Sequence, residues 1–172
     1  MDIFILMETD REYTIYCDMD GVIANFDLEF KKISNGLGPN EFITTFSKSK
    51  FWNLIDSAGE DFWSDMPLMS GANEMMRFIQ DNFLHIRILT ASTRRPESKS
   101  GKRKWIRQYF PFISDSDVII VEERALKANY ANSKSILIDD MTGNISRWNS
   151  AGGIGILHTS ANNSIKQLTQ YV

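Results

Sequence analysis

Asp18 and Asp20 directly follow the apolar run YTIYC, Thr90 and Ser92 follow HIRIL, and Asp139 and Asp140 follow SILI. Four carboxylates brought to one partly dehydrated place repel one another strongly, so such a gathering calls for a cation. Oxygen-only ligands favour a hard ion, Mg²⁺ ahead of Zn²⁺, and Mg²⁺ held by few carboxylates keeps coordination positions for water and phosphate oxygens. Hydroxyls at Thr90 and Ser92 suit phosphate oxygens. The chemistry this set can support is phosphoryl transfer.

These residues can act together only if the runs before them are neighbouring strands. Tyr13–Cys17, His85–Leu89, Val118–Val121 and Ser135–Ile138 are short, rich in Ile, Val and Leu, and bounded by polar clusters, as buried strands of a parallel sheet are. Ile154–Leu157 follows the turn signal AGG and adds a fifth. Between them, Ala72–Phe83, Lys102–Phe110 and Asn144–Ser150 space their apolar residues as helices do. The alternation predicts an α/β fold with a doubly wound, mainly parallel sheet, in which ligands sit at the carboxyl ends of the strands. From Asp27 to Met69 the alternation stops. Helical fragments there carry Phe30, Phe42, Phe46, Phe51, Trp52, Phe62 and Trp63, which reads as a small helical insertion over 27–69 in a core made of 1–26 and 70–172.

DMDGVIANF (Asp18–Phe26), ILTAS (Ile88–Ser92), a lysine before the last motif and ILIDD (Ile136–Asp140) resemble, in order, the four motifs of the haloacid dehalogenase superfamily of phosphatases. FWNLI and EDFWSDMPLMSGA, with DMDGVIANF, are similar to its 5′(3′)-deoxyribonucleotidase branch. The ASTRRPESK stretch and the short chain depart from that branch. The resemblance implies a Mg²⁺-dependent phosphomonoesterase acting on nucleoside monophosphates, deoxyribonucleotides first, through an aspartyl-phosphate. It also implies that the insertion caps the site, that the Asp20 backbone carbonyl ligates the metal, and that a homodimer is an expected state.

On this reading Asp18 is the nucleophile and a metal ligand, and Asp20 protonates the leaving alcohol and then activates water. Gly21 allows a tight turn close to phosphate. Thr90, with Ala91 and Ser92, binds the phosphoryl group. A cation must offset transition-state charge, and Lys127 in ERALKANYA and Lys134 both precede the DD pair; Lys127 is the preferred candidate. Neighbouring carboxylates on an extended chain point opposite ways, so Asp140 is expected on the metal and Asp139 behind it. Phe26, Phe51 and Trp52 are candidates for a base pocket, since aromatic faces stack on any nucleobase.

Composition bounds the rest. The 172 residues carry a net charge of −3 and one cysteine, Cys17, which excludes an internal disulfide scaffold and a cysteine-rich zinc site and fits a cytoplasmic setting. MDIFILM lacks the layout of a signal peptide, and no run reaches the ~20 apolar residues of a membrane helix. Cys17, Trp105 and Trp148 read as core; His85 and His158 read as packed or surface histidines rather than ligands. From Arg94 to Arg107 seven basic residues meet one acid, Glu97, for a local charge of +6. A solvated helix face explains it; phosphate steering or polynucleotide contact would use the same residues. Two other functions are therefore carried forward: a 3′-phosphatase for nucleic-acid ends, and a non-catalytic nucleotide-binding module.

Overall fold

The computed structural model describes residues 13–172, so the MDIFILM opening lies outside the described residues. Five strands, β1 (Thr14–Cys17), β2 (His85–Ala91), β3 (Val118–Val121), β4 (Ser135–Asp139) and β5 (Ile154–Leu157), form one sheet in the order β3-β2-β1-β4-β5. Every neighbouring pair is parallel. Residue alternation sorts the sheet into two faces. Ile15, Cys17, Ile88, Ile136 and Ile138 belong to the larger core, whereas Tyr16, Leu89 and Leu137 pack with Trp148 in a second, smaller one. Trp105 and Trp148 are both fully buried, one in each direction from the sheet.

Among the described residues, eight α-helices surround the sheet. α1 (Phe26–Ile33), α2 (Pro39–Thr45), α3 (Lys48–Ala58) and α4 (Glu60–Ser64) fill the insertion; α5 (Ala72–Asn82), α6 (Pro96–Tyr109), α7 (Thr142–Ser150) and α8 (Ala161–Leu168) belong to the strand connections and the C-terminal end. Local chemistry starts them. The Asn25 side chain accepts from Leu28 N–H, Ser47 from Lys50 N–H and Ser160 from Asn163 N–H, each satisfying a donor that the first turn would otherwise leave unpaired. Helix α6 begins six residues before the expected Lys102, because Pro96 occupies its first turn, where a missing N–H loses nothing. The basic stretch is thus helical. Its buried positions, Ser98, Gly101, Lys102, Trp105 and Ile106, form a single stripe.

Strand order changes direction between β1 and β4. After β1 the chain returns on one side of that boundary to β2 and β3; after β3 it crosses to β4 and then β5. Such a switch point leaves a crevice outside the carboxyl ends of the two central strands, where neither connecting loop covers it. The insertion leaves and re-enters next to that crevice. Asn25 N–H donates to Pro67 O at 2.7 Å and Met69 N–H to Ile23 O at 2.8 Å, so its two ends are tied together. Phe30 centres the insertion's own core, with ring centroids of Phe51 at 4.6 Å and Phe42 at 5.3 Å.

Candidate active site

β1 ends at Cys17, and Asp18 N–H still bonds Ile138 O at 2.9 Å, so the Asp18 side chain leaves from the rim of the sheet. The next residues form a tight loop in which Met19 O accepts from the N–H groups of Val22, Ile23 and Ala24. Gly21 enables it, with φ of +79°, a region that residues with a Cβ rarely adopt. A Cβ on Gly21 would also stand on the Asp140 carboxylate.

Lys127 reaches this rim from a 3₁₀ segment, Arg124–Tyr130, that follows β3. Its Nζ lies 2.8 Å from Asp18 Oδ1 and 2.7 Å from Asp139 Oδ2. Burial alone would lower its pKa, but the two carboxylates outweigh burial and hold the ammonium above its ordinary range. Lys134, in the turn just before β4, is exposed, with Nζ 5.5 Å from the centre of the Tyr13 ring.

The two residues of the DD pair differ in burial. Asp139 is fully buried and heavily donated to: Oδ1 accepts from Met141 N–H at 2.9 Å and Asn144 Nδ2 at 3.0 Å, and Oδ2 from Asn144 Nδ2 at 2.9 Å besides Lys127. Asp140, one residue past the end of β4, is exposed and lines the cavity mouth. Partial burial of its carboxyl, reinforced by the Asp18 and Asp139 charges, pushes its pKa up to about 6. Oxygens of Asp18, Asp139 and Asp140 lie within 4.8 Å of one another. Such crowding of hard donors, with Asp140 uncompensated, fits a small divalent cation such as Mg²⁺. Neither histidine nor cysteine joins it among the described residues.

Asp18, Asp20, Gly21, Thr90, Ala91, Ser92, Lys127 and Asp140 all line one cavity of about 940 Å³. Asp139 stands behind them. Phe26, at the start of α1, and Phe51, Trp52 and Trp63 of α3 and α4 line the same cavity. Phe26 and Trp52 are half-buried there, while Phe51, at 4% exposure, also belongs to the insertion core. Cys17 and the histidines take no part. Burial pushes the Cys17 thiol far above its ordinary range, His158 is buried with Nδ1 2.8 Å from Ser164 Oγ, and His85 is exposed at the far end of β2.

Two residues of this site escaped the sequence reading. Asn144, in the first turn of α7, spans both oxygens of Asp139. Lys102, expected on a solvated basic face, is fully buried and donates to Asp20 Oδ2 at 2.6 Å and Thr90 Oγ1 at 2.9 Å. Its place three and four residues before Trp105 and Ile106, on the apolar stripe of α6, was the available signal. The other basic residues of that segment mostly face acids of this chain: Arg95 meets Asp56, Lys99 meets Glu122, Lys104 meets Glu60, and Arg107 meets Asp115.

A switch-point crevice, an aspartate loop after β1 and the helices α1 to α4 between β1 and β2 fit an α/β fold of the haloacid dehalogenase type. A hydrolase from Streptococcus pneumoniae TIGR4 shares it with a TM-score of 0.59 at 17% identity, covering 92% of this chain and 99% of that one. A haloacid dehalogenase family hydrolase from Deinococcus radiodurans R1, solved with phosphate and sodium, shares it with a TM-score of 0.57 at 11% identity, covering 92% and 89%. More particularly, residues 12–170 match the 5′ nucleotidase, deoxy (pyrimidine), cytosolic type C family, and the chain belongs to that family. The 5′(3′)-deoxyribonucleotidase of Bacillus subtilis strain 168 is 25% identical over 112 residues, which are 64% of this chain and 59% of that protein. That of Bacillus phage SPbeta matches to the same extent, so the chain spans about 59% of the length of these relatives.

Proposed function

We propose that the protein is a Mg²⁺-dependent phosphomonoesterase that hydrolyses deoxynucleoside monophosphates through an aspartyl-phosphate. One observation carries this reading: Asp18, Asp20, Thr90, Lys127 and Asp140 line the same cavity as the aromatic residues of the insertion. The family match and the two relatives named 5′(3′)-deoxyribonucleotidase support the substrate class.

Asp18, Asp140 and the backbone carbonyl of Asp20 would hold the ion, with Asp139 kept behind them by Lys127 and Asn144. The ion offsets the negative charge that carboxylates and phosphate bring together. An Asp18 carboxylate oxygen attacks phosphorus; the bond from phosphorus to the ester oxygen breaks, and Asp20 gives that oxygen its proton. In the second half Asp20 takes a proton from water as the water oxygen attacks phosphorus. The bond to Asp18 then breaks and inorganic phosphate leaves. Lys127 keeps a positive charge beside Asp18 while charge develops on the phosphoryl oxygens, and the Thr90 hydroxyl binds one of them. Phe26 and Trp52 receive the base, and helices α1 to α4 act as the cap.

Phosphate release from a panel of deoxy- and ribonucleoside monophosphates, with Mg²⁺ and with EDTA, tests the reading. Turnover of deoxynucleotides that EDTA abolishes is expected, and Asp18→Asn should remove it. Undiminished turnover by Asp18→Asn would take the nucleophile away from Asp18.

A further inference from the structure

The Lys102 side chain has no exposed surface, although an ammonium is strongly hydrated in water and its burial is costly unless it is fully paired. It is fully paired. An ammonium has three protons, and Nζ has three acceptors: Asp20 Oδ2 at 2.6 Å, Thr90 Oγ1 at 2.9 Å and Ala91 O at 2.8 Å. The Trp63 ring closes the remaining side, its centroid 5.2 Å from Nζ. One side chain from α6 therefore joins the loop after β1, the end of β2 and α4 of the insertion.

The neighbouring glycine makes that junction possible. A Cβ on Gly101 would lie 2.6 Å from Trp63 Cβ and 2.7 Å from Glu60 O, so α4 rests directly on α6 at this point. Only a residue without a side chain lets Trp63 approach Lys102 so closely.

Asp20, in turn, depends on this contact. Its Oδ1 is buried and has no hydrogen-bond partner among the described residues, while Oδ2 is held by Lys102. The carboxylate is thus anchored through Oδ2 and unpartnered at Oδ1. We propose that Lys102 is a positioning residue: it sets the orientation of Asp20, ties it to Thr90, and leaves Asp20 Oδ1 available for proton transfer. A direct role on the substrate phosphate does not suit Lys102, because all three of its protons are already engaged. The proposal rests on the acid–base role given to Asp20 above.

Leaving-group chemistry separates positioning from simple support. A deoxyribose alkoxide must be protonated as it leaves, whereas p-nitrophenolate leaves with little help, so loss of a well-placed proton donor harms the first substrate far more. The experiment measures kcat and KM of wild type, Asp20→Asn, Lys102→Met, Lys102→Gln and the double variant Asp20→Asn/Lys102→Met on thymidine 5′-monophosphate and p-nitrophenyl phosphate. Both Lys102 variants are expected to lose at least about tenfold more kcat on the nucleotide than on the aryl phosphate, with KM changed less than about threefold. Within the Asp20→Asn background, Lys102→Met should lower kcat no further.

Equal losses on the two substrates, a shared rise in KM, or additive losses in the double variant would each overturn the proposal. Partial unfolding lowers both rates in one preparation equally and cannot imitate a changed ratio. If Asp20→Asn itself shows no leaving-group dependence, the role of Asp20 fails. If Asp20→Asn shows it and the Lys102 variants do not, only the inference about Lys102 fails.

Discussion

Lys127 Nζ stands 2.8 Å from Asp18 Oδ1 and 2.7 Å from Asp139 Oδ2, so one ammonium joins the ends of the two central strands across the switch point. Removing it leaves two buried carboxylates facing each other. Lys127→Ala should destabilise the metal-free protein by about 3–5 kcal/mol, the range for stripping one partner from a buried pair. Urea unfolding in EDTA measures this, and a loss under about 1 kcal/mol would show that the pair contributes little. Turnover should fall in parallel.

Asp140 gives a prediction about pH. Burial and the Asp18 and Asp139 charges raise its folded-state pKa to about 6, above the value of an unfolded aspartate. The native state therefore holds the extra proton more tightly, and this group's contribution to stability is present at low pH and is lost as pH rises through about 6. In EDTA at pH ~7.5, Asp140→Asn should melt at a higher temperature than wild type, yet gain less on adding Mg²⁺. An equal Mg²⁺-induced shift in both proteins would remove Asp140 from the ion's ligands.

Trp52 tests the base pocket. It is half-buried and lines the same cavity as Asp18, so Trp52→Ala should raise KM for deoxynucleotides by roughly 5- to 150-fold, the equivalent of about 1–3 kcal/mol of stacking. Hydrolysis of glycerol phosphate, which has no base, should change little. A similar rise in KM for both substrates would argue for a packing role.

Gly101 tests how α4 is seated. Gly101→Ala forces a Cβ against Trp63 Cβ and the Glu60 carbonyl, both rigidly held, and should destabilise by about 1–3 kcal/mol. Because Trp63 lines the cavity, nucleotide KM should rise as well. Unchanged urea midpoints would show that α4 moves freely over α6.

Asn144 gives a smaller effect of the same kind. Its amide spans both oxygens of Asp139, so Asn144→Ala should cost about 1–3 kcal/mol by leaving part of a buried charge unsatisfied. Weaker Mg²⁺ protection in thermal melts should accompany the loss.

The carboxylates were legible in the sequence because buried parallel strands announce themselves as short apolar runs, and polar residues at their ends stand at the ligand face of such a sheet. Asp18, Asp20, Thr90 and Asp140 needed nothing more. The helical character of the stretch after β1 was legible too, from an aromatic-rich run that broke the alternation. The start of α6 was not legible from apolar spacing, because its first six residues carry no apolar periodicity and only Pro96, suited to a first turn, marks it.

What the sequence alone determined is the set of groups at the ends of β1, β2 and β4, since strand chemistry and residue order are local properties. Only the tertiary structure decided which lysines reach them. Lys102 and Lys127 share one residue type with Lys134 and with the ion-paired surface lysines, and although the stripe of α6 marks Lys102 as inward-facing, it does not say which groups its ammonium meets. Lys127 reaches Asp18 because the 3₁₀ segment passes the switch point. Lys102 reaches Asp20 because α6 buries that face against α4, so a charge counted as part of a basic surface becomes a donor inside the site.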